Sequence, residues 1–219
     1  MIKQSLSRVS RSLLVAGVCA AAVMSLQGCV ELLVGSAVVG TFATADRRTF
    51  GAQTEDKSIV VKGELTLSKV LSDNTHVNVN SFNRHVLLTG EVPDQQTKDK
   101  AENELKAVEG VVSVINEIQI AGTSNLTARS NDALITTKVK ASFVDTKDLY
   151  ANSYKVVTEA SVVYLMGRVT QREGERAADV ASSVSGVRKV VKVFEYMTEE
   201  ELKALLVQPA KSEKSAEAK

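Results

Sequence analysis

Four side chains in this sequence have the chemistry for a covalent or metal-binding site: two cysteines and two histidines. Cys29 closes the run Leu26–Cys29, whose small last residues would admit an extended backbone to a peptidase, and its thiol is nucleophilic enough for alkylation. Cys19 lies inside the apolar segment before it. His76 and His85 could hold a metal across a hairpin, but no third ligand of suitable spacing is visible, so we predict no metal site.

The segment before Cys29 has the parts of an export signal. Residues 1–28 begin with basic residues and continue into an uncharged apolar stretch over 13–24, which falls short of the ~20 residues that span a bilayer. With Cys29 the segment resembles a bacterial lipoprotein signal, in which cleavage leaves the Cys carrying diacylglycerol and an amide-linked acyl chain. An ordinary signal peptide whose cleavage site includes a Cys is the alternative interpretation.

The residue after the lipidation site indicates which of the two bacterial membranes holds the protein. In lipoproteins of enteric-type bacteria an Asp at that position retains the protein at the inner membrane, whereas Val30 resembles the outer-membrane class. We therefore expect residues 29–52 to be a lipidated N-terminus and linker, at the periplasmic face of the outer membrane. The N-acyl diacylglycerol on Cys29 is the one attached group that we expect, and we predict no cofactor.

The mature chain lacks the motifs of an enzyme or a nucleic-acid-binding protein. Removal of three basic residues with the signal leaves 27 − 3 = 24 basic against 26 acidic residues, so no global field attracts nucleic acid. Cys19 leaves with the signal, so no disulfide forms and no thiol remains for catalysis. No nucleophile elbow, phosphate-binding glycine loop or basic stripe with interleaved aromatics is present in the sequence. We predict that the protein is not an enzyme.

An internal repeat determines the predicted fold. Residues 76–92 and 154–169 share apolar positions at an offset of 167 − 90 = 77, which aligns Gly90 with Gly167. Each copy predicts a helix, an alternating strand pair with a Gly late in its second strand, another helix and a closing strand. Each Gly is predicted to be a backbone-packing position rather than a binding residue.

The predicted fold class is α+β, with two tandem α-β-β-α-β domains. In each domain two helices pack on one face of a three-stranded mixed sheet. We place domain 1 at 53–121, domain 2 at 128–197 and a charged disordered tail at 198–219, with a short helix through Leu205 as an option within the tail.

These motifs resemble the BON domain. The segments Leu87–Gly90 and Leu165–Gly167, each followed by a helix and a Gly-Val pair, are similar to that family's pattern. Two such copies behind a lipoprotein signal resemble the dual-BON lipoproteins of the outer membrane. The resemblance implies a monomer that binds anionic phospholipids such as phosphatidylglycerol and cardiolipin, gathers at the division site and supports outer-membrane integrity. Contact with the outer-membrane assembly machinery is a further implied possibility.

In that family the first helix of the second BON domain binds lipid. We predict that Ser130–Asp132 cap this helix, and that Ile135, Val139 and Phe143 form its core face. The opposite face is unusually apolar for a solvated surface and carries or borders lysines. The predicted phospholipid-binding residues are Leu134, Ile135, Thr137, Lys138, Lys140, Ala141 and Val144. Leu134 stands where the family pattern has a Trp, which removes an aromatic interfacial anchor.

Two alternatives to this lipid-binding helix stay open at this point. The apolar face could pack against domain 1, or it could be an ordinary solvated face. At the level of function, the alternative is a periplasmic protein-binding or chaperone-like factor that acts on outer-membrane assembly or in a stress response. The matching helix of domain 1 has Gly63 and Glu64 in place of Val139 and Lys140, so we expect domain 1 to be a support or protein-contact domain.

Overall fold

The computed structural model of the chain describes residues 46–207. The predictions for the signal 1–28, for Cys29, for the linker up to residue 45 and for the tail beyond residue 207 lie outside the described residues. Within the described residues the order α-β-β-α-β occurs twice, so the predicted fold class is confirmed.

Each domain begins with its longest helix. The elements of domain 1 are α1 (Phe50–Val70), β1 (His76–Phe82), β2 (His85–Val92), α2 (Gln95–Lys106), β3 (Ser113–Asn116) and β4 (Gln119–Ile120). The elements of domain 2 are α3 (Leu126–Asp145), a short 3-10 helix (Ala151–Ser153), β5 (Tyr154–Glu159), β6 (Val162–Thr170), α4 (Gln171–Ser182) and β7 (Lys189–Met197).

Both sheets have the same mixed topology. In domain 1, β2 pairs antiparallel with β1 and parallel with a third strand that is broken into β3 and β4. In domain 2, β6 pairs antiparallel with β5 and parallel with β7. A parallel pair needs a crossover, which α2 and α4 provide.

A buried aspartate on the first helix of each domain holds the hairpin turn. Both turns have two residues with positive φ, which suits the twist of the flanking strands. Asp132 accepts hydrogen bonds from the backbone amides of Ala160 (2.9 Å) and Ser161 (2.8 Å), and Asp56 binds the equivalent turn amides in domain 1. The prediction that Ser130–Asp132 cap the helix is therefore wrong.

The start of α3 lies one turn earlier than predicted. Asn125 caps the helix by accepting a hydrogen bond from the amide of Ala128 at 2.9 Å, and the helix begins at Leu126. Ser130–Asp132, which the sequence predicts as caps, lie inside the helix. The Asp132 carboxylate accepts hydrogen bonds from the hairpin turn and not from amides at the start of its own helix.

The two domains pack through their sheets. Alternate residues of β2 and β6 face the helices of their own domain, as Leu88 and Leu165 do. The residues between them, including Leu87, Tyr164 and Met166, form a second core that joins domain 1 to domain 2. The described chain is therefore a four-layer stack of helices, sheet, sheet and helices.

The segment before α1 contacts both domains. Arg47 donates two hydrogen bonds to the buried Glu173 of domain 2 (2.7 and 2.8 Å) and a third to the carbonyl of Arg168 (3.1 Å). Arg48 binds Asp56 of domain 1 at 2.7 Å. Residues 46–48 are therefore a strap across the domains, and the part of the predicted linker from residue 50 onward belongs to α1.

The two aligned glycines of the repeat, Gly90 and Gly167, lie late in β2 and β6. Gly90 has φ +116°, and a Cβ there would lie 1.9 Å from the carbonyl oxygen of His76. A Cβ at Gly167 would lie 2.6 Å from the carbonyl oxygen of Ser153. Close backbone approach thus accounts for both glycines.

The start of the predicted disordered tail is helical. Helix α5 runs from Glu199 to Val207, and Leu202 is buried against the domain. Thr198 and Glu201 exchange hydrogen bonds at the N-terminus, between side chain and backbone amide in each direction. This reciprocal cap and one buried Leu order a segment whose composition alone predicts disorder.

Candidate membrane-binding surface

The inner face of α3 belongs to the core of domain 2. Ile135, Val139 and Phe143 pack between the helix and the sheet and are 1%, 0% and 0% exposed. Ile135, which the sequence places among the lipid-binding residues, is therefore not available to a lipid. Its neighbours on the opposite face are available.

The outer face of α3 carries a row of exposed apolar side chains. Leu134 is 60% exposed and Val144 is 72% exposed, with Ala141 exposed between them. Leu126 extends the row to the first turn of the helix and is 80% exposed. At ~1.5 Å per residue the row spans about 27 Å. We call Leu126, Leu134, Ala141 and Val144 the apolar stripe.

Thr137 lies within the stripe and does not interrupt its apolar character. Its hydroxyl donates to the backbone carbonyl of Ala133 at 3.0 Å, one turn earlier in the same helix. This bond leaves the methyl group as the part of Thr137 that faces outward.

Two lysines border the stripe. At ~100° per residue Lys138 lies beyond one edge of the stripe and Lys140 beyond the other. Both are exposed, and neither forms an ion pair or a hydrogen bond within residues 46–207. In domain 1, by contrast, the equivalent Lys62 is paired with Glu109 at 2.9 Å. At this aligned position the ammonium group is therefore paired in domain 1 and unpaired in domain 2.

A half-buried lysine, Lys155, lies near Lys140. Burial lowers the pKa of Lys155, and repulsion from Arg48 and Lys140 lowers it further, against attraction from Asp56. Lys155 donates a hydrogen bond to the carbonyl of Ser81 across the domain interface at 3.3 Å. Positive charge is thus concentrated at this border of the helix.

The stripe does not contact domain 1. The domains meet through the opposite faces of their sheets, so the outer face of α3 lies on an outer layer of the stack. The alternative that Leu134, Ala141 and Val144 pack against domain 1 is therefore wrong. All three side chains are exposed, and none belongs to the core between the two sheets.

Sequence reasoning missed Leu126 because it placed the helix start too late. The sequence does contain a signal for the earlier start, because Asn125 is a common capping residue and the apolar Leu126 follows it directly.

The two histidines do not face each other: His76 pairs with Glu91 and His85 with Phe82, at opposite ends of the hairpin. The His85 imidazole lies 2.6 Å from the hydroxyl of Ser113.

None of the described helices has the length and hydropathy required to cross a bilayer.

The stripe combines apolar side chains on the outer face of a helix with cations at its borders, which is the pattern that an interfacial helix needs.

Comparison with known proteins identifies the family. The BON domain model matches residues 60–122 and 131–198. The chain is 40% identical to outer membrane lipoprotein DolP of Haemophilus influenzae, over 80% of this chain and 92% of the relative. It is 33% identical to the 21 kDa hemolysin of Actinobacillus pleuropneumoniae (69% and 79%) and 30% identical to osmotically-inducible protein Y of Escherichia coli (62% and 70%). The chain belongs to the BON-domain family and contains two copies of the domain.

Proposed function

We propose that this protein is an outer-membrane lipoprotein, held by acyl chains on Cys29, that binds anionic phospholipid through the apolar stripe of α3 and supports outer-membrane integrity. The Leu26–Cys29 signal and the 40% identity to a protein named as an outer membrane lipoprotein support the anchor and the location. The protein acts as a monomer at the periplasmic face, enriched at the division site.

One observation carries the lipid-binding proposal: the stripe is uncovered and lies between two unpaired lysines. A contiguous row of exposed apolar side chains on a soluble domain indicates an interaction surface. Ammonium groups at its borders meet phosphates when the apolar side chains enter the acyl boundary. In the equivalent helix of domain 1, the position of Lys138 is occupied by Lys62, which is paired, and the position of Lys140 by the acidic Glu64.

The expected affinity of the stripe is low. Inserting the exposed parts of Leu126, Leu134 and Val144 contributes about 1 kcal/mol each. Lys138 and Lys140 contribute about 1 kcal/mol each at an anionic surface. The sum of about 5 kcal/mol corresponds to a Kd of roughly 0.2 mM. A surface of this strength is useful on a chain that is already tethered, because the anchor raises the local lipid concentration.

The test measures the stripe without the anchor. The mature chain with Cys29→Ser is titrated with vesicles that contain phosphatidylglycerol or cardiolipin, and with phosphatidylcholine vesicles, and binding is followed by cosedimentation and by NMR shifts of α3. We expect binding to anionic vesicles that Leu134→Glu weakens about tenfold, since about 1 kcal/mol of insertion is replaced by a repelled charge. Lys138→Glu is expected to weaken it by a further similar factor.

The matched control is Leu65→Glu. Leu65 lies on α1 of domain 1 and is 56% exposed, close to the 60% of Leu134, so it introduces the same charge on the equivalent helix. We expect this variant to bind like the parent. Equal binding by the Leu134→Glu variant and the parent, or equal loss in both variants, would remove α3 as the lipid-binding site.

The second candidate function is a periplasmic protein-binding or chaperone-like factor. It is supported by the similarity to osmotically-inducible protein Y and by the exposed apolar pair Val61 and Leu65 on α1. A photo-crosslinker at Val61 that captures outer-membrane assembly proteins, together with no shift of α3 in vesicles, would favour this function over lipid binding.

A further inference from the structure

A buried polar cluster lies in the interface between the two sheets. His76 and Glu91 are cross-strand partners at the end of the first hairpin opposite its turn, and Glu159 reaches them from the end of β5 in domain 2. His76 Nδ1 lies 3.1 Å from Glu91 Oε2 and 4.0 Å from Glu159 Oε1. One ligand atom of each residue lies within 4.8 Å of the other two. Both domains therefore contribute to a single group of metal-ligating side chains.

Two carboxylates are removed from water in this cluster. Glu91 and Glu159 are each 5% exposed, and within residues 46–207 neither forms an ion pair with a Lys or an Arg. Buried carboxylates are stable when they are paired or when they coordinate a metal. Glu91 accepts two hydrogen bonds from Ser124, each at 3.3 Å, and a single imidazole, that of His76, faces the two carboxylates.

Two residues of domain 1 orient the Glu159 carboxyl. Asn78 donates to Glu159 Oε2 at 2.7 Å. Thr89, the cross-strand partner of Asn78, is fully buried, and its hydroxyl is close enough to the same carboxyl to donate a hydrogen bond. The position of Glu159 in the cluster is therefore set from both domains.

We propose that His76, Glu91 and Glu159 bind one divalent transition-metal ion of the zinc class and that this ion joins the two domains. Imidazole and carboxylate oxygens are zinc ligands at about 2.0–2.2 Å, which places ligand atoms of a tetrahedral site roughly 3.3–3.6 Å apart. The observed separations of 3.1 and 4.0 Å need only side-chain rotation to reach this geometry. The two positive charges of the ion match the two carboxylates.

Water or the Thr89 hydroxyl completes the coordination of the ion. Asn78 then acts as an outer partner, because its amide orients Glu159. The inference goes beyond the proposed lipid binding and does not rest on it, since the cluster lies in the sheet-to-sheet interface and the stripe on an outer layer.

The experiment uses the full chain in detergent with Cys19→Ser and Cys29→Ser, so that no thiol binds the ion. After extraction with EDTA, calorimetric titration with Zn²⁺ at neutral pH is expected to give one ion per chain and an increased Tm. Glu159→Gln and His76→Gln are each expected to weaken binding by at least about tenfold, since loss of even an outer partner of a zinc ligand costs about 10–100-fold.

The matched control is His85→Gln, because His85 is bonded to Ser113 at the other end of the hairpin. We expect it to bind Zn²⁺ like the parent. Circular dichroism and the Tm of the metal-free proteins show whether the variants are folded. A parent that binds no Zn²⁺, or a folded Glu159→Gln variant with the affinity of the parent, overturns the proposal. A third outcome also overturns the proposal. If the parent binds no Zn²⁺ and the metal-free Glu159→Gln variant is more stable than the metal-free parent, a proton and not a metal ion balances the two carboxylates.

Discussion

Replacing Arg47 with Met removes the cation that holds a buried carboxylate in domain 2. The Arg47 side chain is 9% exposed and that of Glu173 is 2% exposed, and the two are joined by two hydrogen bonds. Met keeps an apolar stem of similar length and loses the guanidinium, which also lies over the Tyr150 ring at 5.8 Å. Glu173 keeps one other bond to its second oxygen, from the amide of Thr170 at 3.0 Å.

The expected cost follows from this burial. Removing one partner of a buried ion pair costs about 3–5 kcal/mol, because the other charge stays buried without compensation. Because Glu173 keeps the hydrogen bond from the Thr170 amide, we expect Arg47→Met to lower the free energy of unfolding by about 3 kcal/mol at pH 7, near the lower end of that range. The exposed pair of Arg172 and Glu199, with side chains 66% and 44% exposed, provides the control, and Arg172→Met is expected to cost less than about 1 kcal/mol.

The pH dependence distinguishes this mechanism from lost packing. Burial raises the pKa of Glu173, but hydrogen bonds from Arg47 and Thr170 outweigh it and hold the pKa below its ordinary value. In the parent, the carboxylate therefore contributes stability above the pKa of the unfolded chain, and this stability is lost as the pH falls through the folded pKa. In Arg47→Met burial acts without Arg47 and raises the pKa of Glu173, so we expect the deficit to begin to shrink above the ordinary carboxyl pKa of about 4.3 and to keep shrinking as the pH falls through the lower pKa of the parent.

Urea unfolding of parent and variant at neutral and acidic pH measures both effects. A double variant that adds Glu173→Gln is expected to recover part of the lost stability, since it removes the uncompensated charge. A loss of less than about 1 kcal/mol at pH 7, or a deficit that stays constant into the acid range, would refute the assignment of Arg47 as a buried interdomain cation.

Two further predictions concern the sheets. We expect Gly90→Ala to destabilise the protein by at least about 3 kcal/mol in urea unfolding, because the new Cβ lies 1.9 Å from the carbonyl oxygen of His76 at a φ of +116°. Gly122→Ala, with nothing within 4 Å, is expected to change stability by less than about 0.5 kcal/mol. Burial and the nearby Glu117 and Glu159 raise the pKa of Tyr164 from 10.0 to about 12. The neutral phenol thus contributes stability that is lost between those two pH values, and a Phe there is expected to reduce this alkaline loss in pH-dependent unfolding.

The repeat made the fold of each domain predictable. Residues Gly90 and Gly167 align, and the strand pair, helix and closing strand around each follow from hydrophobic periods that are local in sequence. The core face of α3 was predictable for the same reason. The start of the helix was not, because Asp132 has the residue type of a cap and its true partners are turn amides that only the fold brings near.

The packing of the two domains against each other is indicated less strongly in the sequence than the fold of each domain. The runs Val86–Leu88 and Val162–Met166 are apolar on both faces of their strands, which is typical of a strand that is buried on both sides. The cluster of His76 with Glu91 and Glu159 could not be predicted, because its third member comes from the other domain and its position depends on how the sheets are stacked.

The four-layer stack sets the distance between its two outer helices. Neighbouring layers of helices and sheets are separated by about 10 Å, so the axis of α1 lies roughly 30 Å from that of α3. The exposed side chains of α1, such as Val61 and Leu65, therefore lie on the layer farthest from the apolar stripe. Under the proposed binding of α3 to lipid, the stack would act as a spacer that holds α1 clear of the bilayer at that distance.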